Sequence, residues 1–333
     1  MKEQSLENSS LLVENKRRVK EVYGWESGLI HLACAGIYTS KQMLVDFTVL
    51  SRCKQLIKQK VGLFSNFRST AQPMIASILA TSENPEQTLE HGLYIYHLLK
   101  KDFWSSYYLP VTAMIIAQTV DPNQFEAVAS RTRRIYERIK KEHPFLTSSE
   151  DSANCALLAL SEKSDDELIH EIEFNYHFLK SNFFSSNAVQ SLSHVLAILP
   201  GDDLQKKCGK TMELFYGLKR DGYKYGTSYE LPTLGVLAMT EEPINDIVQE
   251  VVEINQWLSG QKGFGFFSSI TTKQRLMYAG MIAQSSCFSN ITLQTATTNS
   301  AISIIIAQQA AMCAIIAATA ASSSAAASAG ASS

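Results

Sequence analysis

The chain has few of the residues that mark specialised classes of sequence. Its six cysteines in 333 residues include no Cys-x-x-Cys pair, and its eight prolines and sixteen glycines follow no period. A disulfide scaffold and a collagen-like chain are therefore excluded. Disordered chains are poor in apolar residues and strongly charged, whereas this chain is 45% hydrophobic with a net charge of −2.

An excess of charge of one sign is also missing. Thirty Lys and Arg side chains face thirty-two Asp and Glu, whereas nucleic-acid-binding domains usually carry a basic surplus. The chain continues from Met1 into mixed charge instead of an apolar secretory signal. Most cysteines lie in apolar runs, where a free thiol packs as a small hydrophobe. We therefore expect a cytoplasmic protein without a nucleic-acid partner.

Charged residues disappear towards the C-terminus. Arg275 is the last of them, and Ile302 to Ala321 form an uncharged segment followed by a Ser/Ala tail. Twenty uncharged residues match a membrane span, but two glutamines lie within them and no Lys or Arg flanks them. We expect a helical-repeat domain over residues 1–290 and an uncharged helix and flexible tail over 291–333. Membrane contact through Ile302 to Ala321 is the alternative.

The sequence does contain an internal repeat of about forty residues. An aliphatic residue followed by lysine recurs at intervals of 40, 40 and 39, and an aromatic residue stands three positions before each. On a helix this spacing places both side chains on one face. The pairs are Tyr96 with Leu99, Tyr136 with Ile139, Tyr176 with Leu179, and Phe215 with Leu218.

Signals for helix starts precede these segments. Asn84 and Asp121 are each followed by proline, and Ser164 with Glu167 has the spacing of a capping box. The first helix of each hairpin is marked by a small residue in an apolar run, with a large apolar residue thirteen positions earlier and a hydroxyl eleven positions earlier. The small residues are Ala80, Ala117, Ala159, Ala197 and Ala238, and the large ones are Phe67, Trp104, Leu146, Phe184 and Tyr225.

These columns predict an all-α fold. We expect a leading helix near Leu6 to Val22, followed by six or seven helix hairpins that stack because a lone hairpin cannot bury its apolar face. Prolines 73, 110 and 232 indicate helices that begin just before the proline or bend there. The array would form either an open α–α superhelix with a concave groove or a closed α/α toroid with a central cavity.

Three segments of the chain resemble a bacterial protein family. They are Phe64–Arg68, His143–Ser148 and Gln190–Ala197, and they are similar to domain-of-unknown-function family 4003 over most of residues 10–285. The Ala/Ser-rich C-terminal end is similar to that family as well. The resemblance implies a helical, cytoplasmic, bacterial protein and carries over no catalytic residue.

Signatures of common catalytic sites are missing. No phosphate-binding glycine loop, nucleophile elbow or zinc-protease helix occurs in the sequence. The acidic pairs 165–166 and 202–203 stand at helix starts, where carboxylates act as caps. His170, Glu173 and His177 share one helix face, and we interpret them as surface side chains and not as zinc ligands. We therefore predict no metal and no cofactor.

The recurring hydroxyl column has two interpretations. It would supply N-caps to the first helices of the hairpins, or, in a toroid, the converging helix N-termini would form a rim that attracts an anion. Glu150 and Asp151 would then provide acid–base chemistry, with Arg68 or His143 as a charge partner. The candidate rim residues are Arg68, Ser69, Ser106, Tyr107, Ser148, Ser186, Asn187, Tyr229 and Glu230.

Two functions from different classes follow from this architecture. The first is a binding or scaffolding protein that holds a protein or small-molecule partner on its concave face. The second is an α/α-toroid enzyme that acts on a small-molecule or lipid-like substrate in a central cavity. An enclosed cavity with side chains of perturbed pKa would favour the enzyme, and an open groove without them would favour binding.

Overall fold

The protein is α-helical, as the sequence predicts. Within the residues that the computed structural model describes, the chain forms fourteen α-helices and two short 3-10 helices, Asn66–Arg68 and Pro122–Gln124, and no β-strand. The described residues are 1–101, 103, 108–148, 151–199, 201, 203–238, 240, 242–265 and 268–288. The predicted C-terminal helix and tail over 291–333 lie outside them.

A leading helix, α1 (Glu3–Val22), is followed by helices that alternate between a buried and an outer layer. The buried layer consists of α2 (Gly28–Ser40), α4 (Gln72–Ala80), α6 (Leu109–Thr119), α8 (Ser152–Ala159), α10 (Ser186–Ile198), α12 (Pro232–Leu237) and α14 (Thr272–Phe288). The outer layer consists of α3 (Phe47–Lys60), α5 (Pro85–Lys100), α7 (Phe125–Glu142), α9 (Asp165–Leu179), α11 (Leu204–Arg220) and α13 (Ile244–Ser259).

The two layers differ in how their apolar residues are distributed. Every residue of α4, α8 and α12 is buried, and a helix that is apolar on all sides must be surrounded by protein. The outer helices bury one stripe only, and the repeated aliphatic column lies in that stripe. Leu99, Ile139, Leu179, Leu218 and Leu258 are all buried. The order of the helices is thus consistent with a hairpin repeat of about forty residues.

The chain divides into two compact units. Of the described residues, unit 1 contains 1–10 and 135–288, and unit 2 contains 11–134. In unit 1, α8, α10, α12 and α14 pack in chain order, and so do α9, α11 and α13 outside them. In unit 2, α2 packs on α4, α4 on α6, and α3 on α5. Whether the whole array forms a superhelix or a toroid stays a prediction.

The helix starts follow the predicted signals. Ser164 and Glu167 form the capping box, in which the Glu167 amide donates to the Ser164 hydroxyl and the Ser164 amide donates to the Glu167 carboxylate. Asn84 caps α5 through a bond from the Gln87 amide. Proline stands at the second position of α4 and α6 and at the first position of α12, where its missing amide hydrogen costs nothing.

Lysines satisfy the carbonyls at the ends of several buried helices. Lys41 donates to the Thr81 carbonyl after α4, and Lys163 donates to the Ala197 carbonyl at the end of α10. Lys207 donates to the Leu199 carbonyl, and its ammonium is shared with the Glu171 carboxylate. Burial, followed by the charge of Lys163, lowers the pKa of Lys207. This lysine is therefore explained as a structural cap.

Two details of the predicted columns are wrong. The hydroxyl column does not supply N-caps: the N-cap position of α4 is Ala71, which makes no side-chain cap bond, and α10 is capped by Ser185, one residue before Ser186. Phe184 is not a packing residue, because the buried ring is that of Phe183. The reason is unequal helix length. The helix α10 begins eleven residues before Ala197, whereas α4 begins only eight residues before Ala80, so one sequence offset falls in different places.

Four cysteines are free and buried, as their apolar surroundings predict. They are Cys34, Cys53, Cys155 and Cys208. No helix among the described residues has both the length and the apolar character needed to cross a bilayer. The segment Ile302 to Ala321 lies outside the part that this finding covers.

Candidate functional site

The loops that lead into the buried helices α2, α4, α8 and α10 each expose one aromatic side chain completely. In each hairpin these loops lie at the end where an outer helix, or α1, finishes and a buried helix begins. The exposed fractions are 104% for Trp25, 97% for Phe64, 99% for Phe145 and 104% for Phe184. We call these four side chains the tips, and the end of the hairpins that carries them the aromatic end.

The tips recur with the period of the repeat. With Trp104, which occupies the same sequence position but lies outside the described residues, they stand at intervals of 39, 40, 41 and 39. Single exposed hydrophobic residues are ordinary on protein surfaces. Random scatter does not explain a recurrence in equivalent loops, so we take the tips as the candidate functional site.

Aromatic rings beneath two of the tips hold the loops in place. In unit 2, the buried ring of Phe67 meets Tyr96 of α5 edge-on, with ring centroids 5.2 Å apart. In unit 1, the buried ring of Phe183 meets Phe215 of α11 at 5.0 Å in the same manner. Tyr96 and Phe215 belong to the predicted aromatic column, so this column fixes the loops of the aromatic end. We call Phe67 and Phe183 anchors.

In the loop of Phe145 the anchor is a histidine. The His143 ring lies 4.5 Å from the Tyr176 ring, and its Nε2 lies 2.8 Å from Glu173 Oε1. Four residues later, the buried Thr147 hydroxyl accepts a hydrogen bond of 2.9 Å from Gln190 Nε2. Both ends of the loop are therefore fixed to other helices, while Phe145 between them stands in solvent.

Two of the segments that carry the family resemblance meet here. His143 and Thr147 come from the first, and Gln190 and His194 from the second. His194 is fully buried, and neither ring nitrogen has a hydrogen-bond partner among the described residues. Burial, followed by the charge of His143, lowers the pKa of His194 to about 3. His194 is therefore neutral at physiological pH and packs as an apolar ring below the loop.

The aromatic end is also rich in cations, because the outer helices finish there and basic side chains favour helix C-termini. In unit 1 the exposed cations are Lys140, Lys141, Lys180, Lys219, Arg220, Lys224 and Lys262. None of these seven forms an ion pair with a described residue. Glu142 and Asp221 are exposed carboxylates in the same region. In unit 2 the exposed cations are Lys20, Lys58, Lys60, Lys100 and Lys101, and Lys60 pairs with Glu90 at 2.8 Å.

The opposite end of the hairpins, where the outer helices begin, is acidic. Its exposed carboxylates in unit 1 include Asp166, Glu167 and Asp203. Beside the start of α13 lies an open groove of about 540 Å³. Lys2 is one of the residues that line this groove, and its backbone amide donates to the Glu250 carboxylate. We call the end of the hairpins where the outer helices begin the acidic end.

The predicted rim residues fall in both units, and several have structural partners. Of the rim residues that the structure describes, Arg68 and Ser69 belong to unit 2, and Ser148, Ser186, Asn187, Tyr229 and Glu230 belong to unit 1. The Ser148 amide donates to the buried Asp151 carboxylate at 2.9 Å, which forms the turn before α8. Tyr229 accepts a bond of 2.7 Å from Gln274, and burial raises its pKa.

The remaining rim residues are placed as follows. Ser186 and Asn187 are exposed in the first turn of α10, and the buried Glu230 carboxylate accepts a bond from the Ser228 amide. Ser106, Tyr107 and Glu150 lie outside the described residues. An anion rim with an acid–base pair therefore stays a prediction. Among the described side chains, no three His, Cys, Asp or Glu groups are arranged to hold a metal ion.

Sequence reasoning missed the tips as a set. It assigned Phe184 to a packing column and Phe64 and Phe145 only to the family resemblance. The available signal was the interval of about forty between exposed aromatic positions in adjacent loops.

Comparison with known proteins gives a family but no activity. The model of a family described as "Protein of unknown function (DUF4003)" matches residues 15–311. The uncharacterized protein YeaA of Bacillus subtilis (strain 168) is 24% identical over 256 residues, which cover 74% of this chain and 76% of the relative. No solved structure matches the chain. A match over nearly the whole chain, on the segments that carry the resemblance, shows that the chain belongs to the DUF4003 family.

Proposed function

We propose that this protein is a cytoplasmic helical-repeat binding module and that its partner docks on the aromatic end. The observation that carries the proposal is the set of four wholly exposed tips in equivalent loops. Burying one such ring against a partner would contribute about 1.5–3 kcal/mol relative to leaving it in water. In the folded chain none of the four rings is buried, so this contribution is still available for binding a partner.

The loops are built to present the tips in a fixed position. The anchors Phe67 and Phe183 are packed against outer helices, and the loop of Phe145 is fixed through His143 and Thr147. A partner that meets an ordered loop loses less conformational entropy on binding than one that must order it. Fixed loops with exposed rings are therefore suited to binding.

The cations support the same function. The seven exposed cations of unit 1 would attract an acidic partner and increase its rate of association, with a strong dependence on salt. Cys34, Cys53, Cys155 and Cys208 are free, as is usual in a reducing compartment.

The enzyme alternative has no comparable support. Asp151, one of its predicted catalytic groups, is engaged in the turn before α8, and His143 is engaged with Glu173. His194 is strongly shifted in pKa, but it is sealed from solvent. The binding module accounts for the exposed rings, and the enzyme leaves them unexplained.

Site-specific photo-crosslinking in bacterial cells that express the full chain tests the proposal. A benzophenone amino acid would replace Phe64 in one variant and Leu44 in a matched control. Both are exposed residues of unit 2, but Leu44 lies at the opposite end of the hairpins. We expect a discrete adduct, to protein or lipid, from Phe64 and none from Leu44. No adduct from Phe64, or equal labelling from both, would overturn the proposal.

A further inference from the structure

We infer that the partner of the aromatic end is the surface of an anionic lipid bilayer. The inference rests on the proposed function and names the class of partner. It is carried by three features of the tips: their isolation from one another, the lysine that precedes each of them, and the opposite charge of the far end of the hairpins.

The isolation of the tips favours a fluid partner over a shaped one. Exposed fractions of 97% to 104% mean that no neighbouring side chain covers any of the four rings. Protein interfaces bury contiguous, closely packed patches whose central rings fit pockets. Separate rings on loop tips form no such patch within either unit. They can each enter the headgroup region of a bilayer, where Trp and other amphipathic or apolar side chains insert without a complementary pocket.

A lysine precedes each tip at nearly constant distance. Lys60, Lys141 and Lys180 each stand four residues before the tips Phe64, Phe145 and Phe184, and Lys20 stands five residues before Trp25. The sequence repeats the spacing at Lys100 with Trp104 and at Lys262 with Phe266, whose aromatic residues lie outside the described part.

This spacing suits the boundary of an anionic bilayer. The lysine is in or beside the last turn of the preceding helix, and the ring is on the loop beyond it. An ammonium group at the level of the lipid phosphates and a ring at the level of the upper acyl chains are the two favourable contacts at this boundary. Each loop therefore carries one of each.

The same membrane would repel the acidic end of the hairpins. Asp166, Glu167 and Asp203 are exposed at the outer-helix starts of unit 1, whereas Lys141 and Lys180 are exposed at the other end. An anionic surface would orient each unit with its tips towards the lipid. The mechanism uses the loops alone and does not require Ile302 to Ala321.

Vesicle co-sedimentation with the full chain tests the inference. Vesicles of phosphatidylcholine with 30% phosphatidylglycerol would be compared with vesicles of phosphatidylcholine alone. We expect binding to the anionic vesicles, and binding at least about tenfold weaker to the neutral ones. The double variant Phe145→Ala/Phe184→Ala should bind the anionic vesicles about a hundredfold more weakly, at about tenfold for each ring.

Matched variants separate the tips from other aromatic and basic residues. Phe178→Ala removes a partly exposed ring from the side of α9 in the same unit and should change binding less than about twofold. Lys141→Ala/Lys180→Ala should weaken binding about twentyfold, at about fivefold for each charge. Lys206→Ala, at the start of α11 and therefore at the acidic end, should leave binding unchanged. The tips and Lys141, Lys180 and Lys206 are exposed, so the melting temperatures of their variants should match that of the wild type. Phe178→Ala also removes a ring that stacks on Phe174, so it should lower the melting temperature without weakening binding.

The outcomes distinguish this inference from the proposed function. Absence of binding to anionic vesicles, or binding that the double tip variant leaves unchanged, overturns the membrane inference. If the Phe64 crosslinker then forms a discrete adduct with a protein, the binding function stands and the partner is that protein. If neither vesicle binding nor an adduct is found, both proposals fail.

Discussion

The two ends of the helix hairpins are built by the same repeats and carry opposite chemistry. At the acidic end, the capping box of Ser164 and Glu167 and the bond from the Lys206 amide to Asp203 satisfy the first turns of α9 and α11. At the aromatic end, cations finish the outer helices and fully exposed rings follow them.

This difference between the two ends separates the features that helix formation explains from those that it does not explain. Carboxylates at helix starts and cations at helix ends both follow from the direction of the helix dipole, so charge at either end has a structural cause. No such cause applies to the tips. In the described loops of the acidic end, the large apolar side chains with marked exposure are Met43 and Leu44, and neither exceeds 46%. The proposed binding role of the aromatic end therefore rests on the tips and not on the charge of either end.

The largest difference in stability is expected between a variant that lacks an anchor and a variant that lacks a tip. Phe183 and Phe184 are adjacent and chemically identical, but the first is buried against Phe215 and the second stands in solvent. Phe183→Ala should lower the free energy of unfolding by about 3–5 kcal/mol because it leaves a cavity. Phe184→Ala should change it by less than about 0.5 kcal/mol. Urea unfolding of the two variants measures the difference, and equal losses would contradict the account.

The next effect concerns pH at the base of the Phe145 loop. The pKa of His194 is about 3 in the folded protein and 6.5 when unperturbed. Between these values the unfolded chain binds the proton and the folded chain does not, so stability falls as the pH is lowered below about 6.5. The expected slope is at most about 1.4 kcal/mol for each pH unit.

His194→Leu should flatten this dependence, because leucine cannot take up a proton in the unfolded chain. Chemical denaturation at several pH values between about 4 and 7 gives the dependence of stability on pH for the wild type and for the variant. A wild-type slope that persists in the variant would contradict the assignment of the pH dependence to His194.

A substitution at the acidic end should have a smaller effect on stability. Ser164→Ala removes the hydroxyl of the capping box and should cost about 1 kcal/mol of stability. Because the change lies at the end opposite the tips, binding to anionic vesicles should be the same as for the wild type. Loss of binding in a variant that is still folded would show that the acidic end takes part.

The features that the sequence predicts well are local. A capping box, a proline in the first turn and an aliphatic stripe each depend on residues within a few positions of one another, and Ser164, Pro110 and Leu99 lie where these rules place them. The repeat strengthens such predictions because the same local pattern recurs in each unit.

The features that the sequence does not predict depend on loop length and on distant residues. Whether Phe183 or Phe184 is buried is decided by where α10 begins, and one residue reverses the roles of the two rings. The meeting of Thr147 with Gln190 joins residues 43 positions apart, for which no spacing rule exists. The exposure of Phe184 therefore does not follow from the sequence pattern, which predicts a packing role for it.

The environment of Trp25 tests the central claim most directly. Replacing Trp104 and Trp257 with phenylalanine leaves Trp25, a fully exposed tip, as the sole tryptophan of the full chain. We predict that vesicles containing phosphatidylglycerol shift its fluorescence emission to shorter wavelength, and that brominated acyl chains quench it. Emission that stays at the wavelength of water-exposed tryptophan while the protein sediments with the vesicles would contradict the account.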